Sequence, residues 1–210
     1  MDFSINNKTV YAGTGGTVFD PSKPTVLFIH GAAMDHTIWA LQSRYIAHHG
    51  YSVLALDLPG HGRSEGPGLC TIEEMSHWVE TTVDAVGIRD TVLVGHSMGA
   101  CIALEVAANN PSRIHKLVLF GASSPMPVNE KLLAQTREDP LVAVEKITSW
   151  AYGHRAHIGG TQTPGLWMLA GGRRLLQRNV EQALHNDFSA CNNYTQGLES
   201  ASNIKCRTLI

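Results

Sequence analysis

Short apolar runs alternate with longer amphipathic segments along the first 120 residues of the chain. Continuously apolar runs are typical of strands buried on both faces of a parallel sheet. Such runs lie at 25–29, 53–56, 91–94 and 116–120. Helices are predicted between them, at about 37–49 and 71–86, and directly after residue 97. This alternation predicts the α/β class, with a mainly parallel sheet flanked by helices on both faces.

A β-hairpin is predicted near the N-terminus, over residues 8–20. We expect the glycine-rich stretch 12–16 to form its turn. A phosphate-binding loop is the other interpretation of such a stretch, but the G-x-G-x-x-G spacing is not met and no helix follows. The turn is therefore the better interpretation, and the stretch does not indicate a nucleotide cofactor.

Residues 125–203 interrupt the alternation of strands and helices, because they contain no strong strand pattern. Helices are predicted there at about 129–137, 139–152 and 173–189. A strand pattern returns at 206–210. We therefore expect an α/β core over 1–124, an inserted helical lid over 125–203 that covers the strand ends, and the start of a further core strand over 204–210.

A serine motif follows the third apolar run, where the chain reads Gly95-His96-Ser97-Met98-Gly99. A strand that runs into G-x-S-x-G and then into a helix is typical of a sharp turn that exposes a nucleophilic serine. Gly95 and Gly99 are the small residues that this turn requires, because no Cβ blocks the close approach of strand and helix. The motif therefore predicts Ser97 as a catalytic nucleophile.

Composition and charge narrow the class of protein. The chain has 210 residues, 43% hydrophobic and 16% charged, as in a soluble globular domain. Its net charge of −2 argues against nucleic-acid and anionic-membrane partners, which call for a basic face. Four scattered cysteines without a C-x-x-C pair favour reduced thiols over disulfides or a zinc site. Because the sequence shows neither a signal peptide nor a membrane span, we expect a cytoplasmic protein. Because it shows no metal-ligand cluster and no phosphate-binding loop, we expect no metal and no cofactor.

Four motifs stand in order along the chain: V-L-F-I-H-G at 26–31, L-D-L-P-G-H-G-R-S at 56–64, V-G-H-S-M-G at 94–99 and L-V-L-F at 117–120. These motifs resemble those of the α/β-hydrolase superfamily, in the esterase-like group with a helical cap. The resemblance implies an oxyanion hole made of two backbone N–H groups, those of Met98 and Ala32. Two fixed donors near a helix N-terminus stabilise a developing oxyanion without reorganising.

The resemblance also implies partners for Ser97 that the sequence does not contain. A serine nucleophile needs a base, and usually an acid that orients the base, in the chain order Ser, Asp or Glu, His. In relatives the acid follows a strand that resembles 206–210, and the histidine comes after one further strand and helix. We therefore expect that the chain is truncated at its C-terminus and that this form is nearly inactive.

Histidines within the chain are the alternative candidates for the base. His154 and His157 fall in the expected lid, from which they could hang over the site. His96 is adjacent to the nucleophile in sequence, but on a tight turn we expect its ring to point away from the hydroxyl. His30 and His61 belong to loop motifs, in which we expect them to make structural hydrogen bonds.

These residues favour a serine hydrolase that cleaves an ester, thioester or related carbonyl compound through an acyl-enzyme. Dehalogenases and epoxide hydrolases of this fold need a carboxylate where Ser97 stands. A carbon–carbon bond hydrolase or a cofactor-free perhydrolase would use the same residues, and a non-catalytic or degenerate binding protein is the alternative from another class. Trp39, Trp150 and Trp167 are candidates for a pocket that takes a small apolar acyl substrate, and packing between lid and core suits them equally well.

Overall fold

The computed structural model of the protein describes residues 1–163 and 165–210, which form a seven-stranded sheet. The strands are β1 (Asp2–Ile5), β2 (Lys8–Gly13), β3 (Thr25–Ile29), β4 (Ser52–Leu56), β5 (Thr91–His96), β6 (Ile114–Phe120) and β7 (Arg207–Leu209). Their order in the sheet is β1-β2-β4-β3-β5-β6-β7. The pairs β1–β2 and β2–β4 are antiparallel and the other pairs are parallel, so the predicted mainly parallel sheet is confirmed.

Helices connect the parallel strands and fill the chain between β6 and β7. They are a 3₁₀ helix (His36–Trp39), α1 (Ala40–Ala47), α2 (Ile72–Ala85), α3 (Met98–Asn109), α4 (Glu130–Glu138), α5 (Pro140–Ala151), α6 (His154–His157), α7 (Met168–Arg178), a π-helix (Val180–Leu184), α8 (His185–Asn193) and α9 (Gly197–Ser202). Among the described residues, no helix has the length and apolar character that a membrane span requires.

The central strands bury both faces because successive side chains point to opposite sides of the sheet. From β3, Leu27 and Ile29 join one apolar cluster, which includes residues of α2 and α3. Val26 and Phe28 join a second cluster with Ala47 of α1. Each face of the sheet thus has its own core, and the carboxyl ends of the parallel strands lie together at one edge.

The N-terminal hairpin differs from its prediction. It joins β1 to β2, and its turn is made by Asn6 and Asn7, whose φ angles are 50° and 62°. A two-residue hairpin turn with both φ angles positive favours asparagine, which tolerates the left-handed region. The glycine-rich stretch 12–16, predicted to be the turn, instead contains the end of β2 and the start of the loop that leads to β3.

Between β6 and β7 the described residues form helices and loops and no strand. We call residues 121–206 the helical segment. Its apolar side chains pack against the loop that follows β3, in a buried cluster made by Ala33, Ala143, Val144, Ile147, Leu176 and Leu184. The helical segment therefore covers the end of the central strand, and its role as a lid stays a prediction.

His30 ties the end of β3 to the loop after β4. Its Nε2 atom accepts the N–H of Leu58 (3.2 Å), so the proton resides on Nδ1, which donates to the carbonyl of Gly31 (2.9 Å). Burial, with the nearby charge of His61, lowers the pKa of His30 to about 3. A neutral imidazole therefore holds the two loops together, as expected for a structural hydrogen-bonding role.

We predict that the protein loses stability as the pH falls through the ordinary titration range of histidine. Below pH 6.5 the unfolded chain protonates His30 while the folded chain keeps it neutral, so proton binding favours unfolding. Between pH 6.5 and 5.5 the free energy of unfolding should fall by about 1 kcal/mol. The raised pKa of His61 opposes only about a third of this loss, because most of its stabilising contribution is already present at pH 6.5.

Urea unfolding at several pH values measures this dependence. The variant His30→Gln should unfold with a shallower slope against pH over the same interval. A flat profile for the unaltered chain, or equal slopes for the two proteins, would show that His30 does not stay neutral in the folded state.

Candidate active site

Ser97 lies on the turn between β5 and α3, with φ of 53° and ψ of −119°. Positive φ is strained for a serine and persists only where the surroundings impose it. Here the two flanking glycines impose it: a Cβ on Gly95 would collide with the carbonyl of Gly99, and a Cβ on Gly99 would collide with that of Ile29. The Ser97 N–H also donates to the carbonyl of Phe120 (2.8 Å), which anchors the turn to β6.

The two candidate oxyanion-hole donors lie on separate pieces of backbone. Met98 is the first residue of α3, where N–H groups lack partners within the helix. Ala32 lies in the loop after β3 and lines the same cavity as Ser97. That loop turns sharply, because Met34 donates its N–H to the carbonyl of Gly31 (3.1 Å) and Ala33 has a φ of 55°. The pairing of these two N–H groups as an oxyanion hole stays a prediction.

A cavity of about 460 Å³ opens beside Ser97. Its walls are Ala32, Met34, His96, Ser97, Gly121, Met126, Pro127, Val128, Asn129, Leu132, Ile147, Trp150, Ala151, Leu176, Phe188 and Cys191. Among the described residues that form these walls, none is Asp, Glu, Lys or Arg. Most of the surface comes from the helical segment and is apolar, so the cavity suits a neutral apolar group.

Of the three candidate pocket tryptophans, Trp150 lines this cavity, whereas Trp39 and Trp167 are absent from its described walls. Trp39 is 4% exposed and packs against Phe28, with ring centroids 4.9 Å apart. It therefore belongs to the core between the sheet and α1. Trp167 precedes α7 and is 63% exposed. The prediction that Trp39 and Trp167 line the substrate pocket is therefore corrected, because Trp39 packs in the core and Trp167 is exposed before α7.

Among the described residues, Ser97 is not paired with a base. In the described part of the chain, no side chain makes a hydrogen bond to its hydroxyl. His154 and His157 lie on α6, both exposed, and neither is among the described cavity walls. His96 does line the cavity; its Nδ1 atom is buried without a described partner, and burial lowers its pKa.

Asp57 makes hydrogen bonds to two loops, the one after β3 and the one after β4. Its carboxylate accepts the backbone N–H of His36 (2.7 Å), the ring of His36 (2.9 Å) and the N–H of Arg63 (2.9 Å). Asp35 and His36 lie close enough to Asp57 for their ligand atoms to fall within 4.8 Å of one another. The Asp35 carboxylate is itself paired with Arg178 (2.7 Å). The ion pair of Asp35 and the backbone hydrogen bonds of Asp57 account for this geometry by loop structure, and it does not call for a cation.

Two polar residues near the site were not identified from the sequence. Asn179 and Asp187, both from the helical segment, are buried against the loop that carries Ala32. Asp187 falls inside the predicted helix 173–189, where the presence of an acidic residue does not by itself indicate that its side chain is buried. Only the fold brings these residues to the loop, since they are more than 140 positions away from Ala33 in sequence.

Comparison with known proteins agrees with this architecture. The chain is 40% identical over 111 residues to the dihydrolipoyllysine-residue acetyltransferase component of the acetoin cleaving system of Cupriavidus necator, a match covering 52% of this chain and 28% of that protein. It is 35% identical over 119 residues to a non-heme haloperoxidase of Rhodococcus erythropolis, covering 55% of this chain and 40% of that protein. The matched part thus spans well under half the length of these relatives.

A solved structure, the enol-lactonase from Burkholderia xenovorans, superposes on 99% of this chain and 79% of its own, with a TM-score of 0.77 and 20% identity. At that identity the likeness concerns the fold. The model of the alpha/beta hydrolase fold family matches residues 24–149, which include β3 to β6 and the Ser97 turn. With the strand order and the strained serine turn already in place, this match over more than half of the sequence shows that the chain belongs to the alpha/beta hydrolase fold family.

Proposed function

We propose that this protein is a serine hydrolase that cleaves a small, neutral, apolar ester or thioester through an acyl-enzyme. The observation that carries the proposal is Ser97, held at positive φ at the wall of an apolar cavity. A hydroxyl presented on such a turn is suited to attack a carbonyl carbon. The N–H groups of Met98 and Ala32 would then receive the developing negative charge on the carbonyl oxygen.

The chemistry of the cavity supports a neutral substrate. A charged acyl group would enter a space whose described walls carry no formal charge, and it would lose its hydration without gaining an ionic partner. An apolar acyl chain instead gains from burial against Ile147, Leu176 and Phe188. The helical segment supplies these side chains, so in this proposal it acts as the lid that shapes the acyl site.

We also propose that the 210-residue chain by itself turns over slowly. The support is the absence of a hydrogen bond between the Ser97 hydroxyl and any described base, since an unassisted serine hydroxyl is a weak nucleophile. The same observation favours a non-catalytic binding protein as the second candidate function. An added base should accelerate ester hydrolysis by a serine hydrolase and have no such effect on a binding protein.

We predict that free imidazole accelerates hydrolysis of p-nitrophenyl butyrate by this chain, and that Ser97→Ala abolishes the acceleration. Imidazole is small enough to enter the cavity and take the serine proton, the role that a histidine plays in a triad. The rate should rise with imidazole beyond the rate that imidazole gives in solution. Release of p-nitrophenol, followed for both proteins over a range of imidazole concentrations, measures the difference.

Equal rates for the unaltered chain and Ser97→Ala at every imidazole concentration would favour the binding protein. Rapid Ser97-dependent hydrolysis without imidazole would contradict the proposed slow turnover and would place a base within the chain. His96, which lines the cavity, would then be the first residue to replace.

We predict that Phe188→Ala shifts the acyl preference toward longer chains. Phe188 lines the cavity from α8, and its removal frees space for additional methylene groups. The ratio of kcat/KM for the octanoate and butyrate esters should rise about tenfold or more, since even one additional buried methylene contributes on that scale in an apolar pocket.

Phe3→Ala is the matched control, because Phe3 is also partly buried but packs on the core from β1, away from the cavity. It should leave the ratio unchanged. The same ratio in Phe188→Ala as in the unaltered chain would mean that the acyl group binds elsewhere.

A further inference from the structure

The N–H, the carbonyl and the methyl group of Ala33 all contact the helical segment. Its N–H donates to Oδ2 of Asp187 (2.8 Å), and its carbonyl accepts Nδ2 of Asn179 (3.2 Å). Its methyl group is fully buried in the cluster that includes Ile147 and Leu176. The residue directly before it is Ala32, the second candidate oxyanion-hole donor, so these contacts act on the loop that carries that donor.

The conformation of Ala33 needs such contacts. Its φ of 55° lies in the left-handed region, which costs an alanine about 1 kcal/mol or more. A free loop would relax toward ordinary backbone angles and rotate the peptide between Ala32 and Ala33. Because Asp187 accepts the N–H of that peptide, it opposes the rotation and fixes the backbone on one side of Ala32.

Asp187 is itself held in place by a buried partner. Its Oδ2 atom lies 2.8 Å from Nε2 of His61, and Nδ1 of His61 lies 3.0 Å from the carbonyl of Pro59. Both ring nitrogens face acceptors, so the ring donates from both and carries a positive charge. Burial alone would lower the pKa of His61, but the Asp187 carboxylate, together with the Pro59 carbonyl and Asp57, outweighs burial and raises the pKa. The carboxylate thus keeps a buried counter-charge that fixes its orientation.

Asn179 links two loops at once. Besides the carbonyl of Ala33, its Nδ2 atom donates to the carbonyl of Met34 (3.1 Å), and its Oδ1 atom accepts the N–H of Gly62 (3.0 Å). In a regular α-helix, residues eight positions apart such as Asn179 and Asp187 would point about 80° away from each other. The π-helix between them has wider turns, which lowers the rotation per residue and brings both side chains toward the same loop.

We infer that Asp187 and Asn179 are positioning residues of the oxyanion hole: by holding the peptide groups of Ala33 they aim the Ala32 N–H at the carbonyl oxygen of the substrate. The inference rests on the proposed function and assigns part of the oxyanion-hole geometry to the helical segment. The inference also requires that α7 and α8 remain packed against the core during the reaction. Lifting them would break these bonds and leave the donor held on one side only, through the bonds that Met34 and His30 make to the Gly31 carbonyl.

A comparison of oxoester and thionoester hydrolysis tests this inference. A well-placed pair of N–H donors favours oxygen over sulfur, because sulfur is a weaker acceptor at a longer bond length. The variants are Asp187→Asn and Asn179→Ala, assayed with imidazole as above. The matched control is Thr148→Val, since Thr148 is buried in α5 and its hydroxyl has no described hydrogen-bond partner, in the loop or elsewhere.

We expect kcat for the oxoester to fall about tenfold or more in both variants, with KM changed less than about twofold. The ratio of oxoester to thionoester rates should fall toward that of imidazole in solution. This ratio does not depend on the fraction of folded protein, so a merely structural role would leave it unchanged. Thr148→Val should keep the ratio of the unaltered chain.

Amide hydrogen exchange at Ala33 provides a second readout that does not require turnover. Exchange should accelerate about tenfold or more in Asp187→Asn and stay unchanged in Thr148→Val, because only the first variant weakens the acceptor of that N–H. Unchanged exchange in Asp187→Asn would overturn the inference, and so would faster exchange with an unchanged ratio of rates. Absence of any Ser97-dependent turnover in the unaltered chain would instead remove the proposed function, and with it the catalytic part of the inference.

Discussion

The close approach of β5 and α3 is the constraint on which the candidate site depends. Two positions without a Cβ, Gly95 and Gly99, allow the helix to begin directly against the strands, and this forces Ser97 to a φ of 53°. The same turn places the Met98 N–H at the helix N-terminus. A single steric requirement thereby sets the nucleophile and one candidate donor together. The second donor lies on another loop, which needs its own support.

That support comes from polar groups buried between the loops and the helical segment. His61 and Asp187 are distant in sequence, so the contact between them forms only in the assembled fold. Each of these buried groups would be costly to charge without the other. Asn179 satisfies backbone groups of both loops, which would otherwise lose hydrogen bonds on burial. The helical segment therefore has two roles in this protein, as the apolar wall of the cavity and as the support of the loop with Ala32.

Features with a local cause could be predicted from the sequence. The strands follow from continuous apolar runs, and the serine turn follows from the spacing of Gly95 and Gly99. Features that depend on competing or distant residues could not. Two stretches near the N-terminus have residues that favour turns, the Asn6–Asn7 pair and the glycine-rich stretch 12–16. The asparagine pair makes the turn, with both φ angles positive. Trp39 and Trp150 look alike in sequence, yet only the fold shows that Trp39 packs on Phe28.

Mass spectrometry of the chain after incubation with p-nitrophenyl butyrate and imidazole asks most directly whether Ser97 is the nucleophile. We expect a butyryl group on the peptide that contains Ser97, and no such group in Ser97→Ala. Cys191 lines the same cavity and is an internal comparison, because burial raises the pKa of its thiol and leaves it a poor nucleophile. A butyryl group on Cys191, or none on Ser97, would contradict a serine hydrolase.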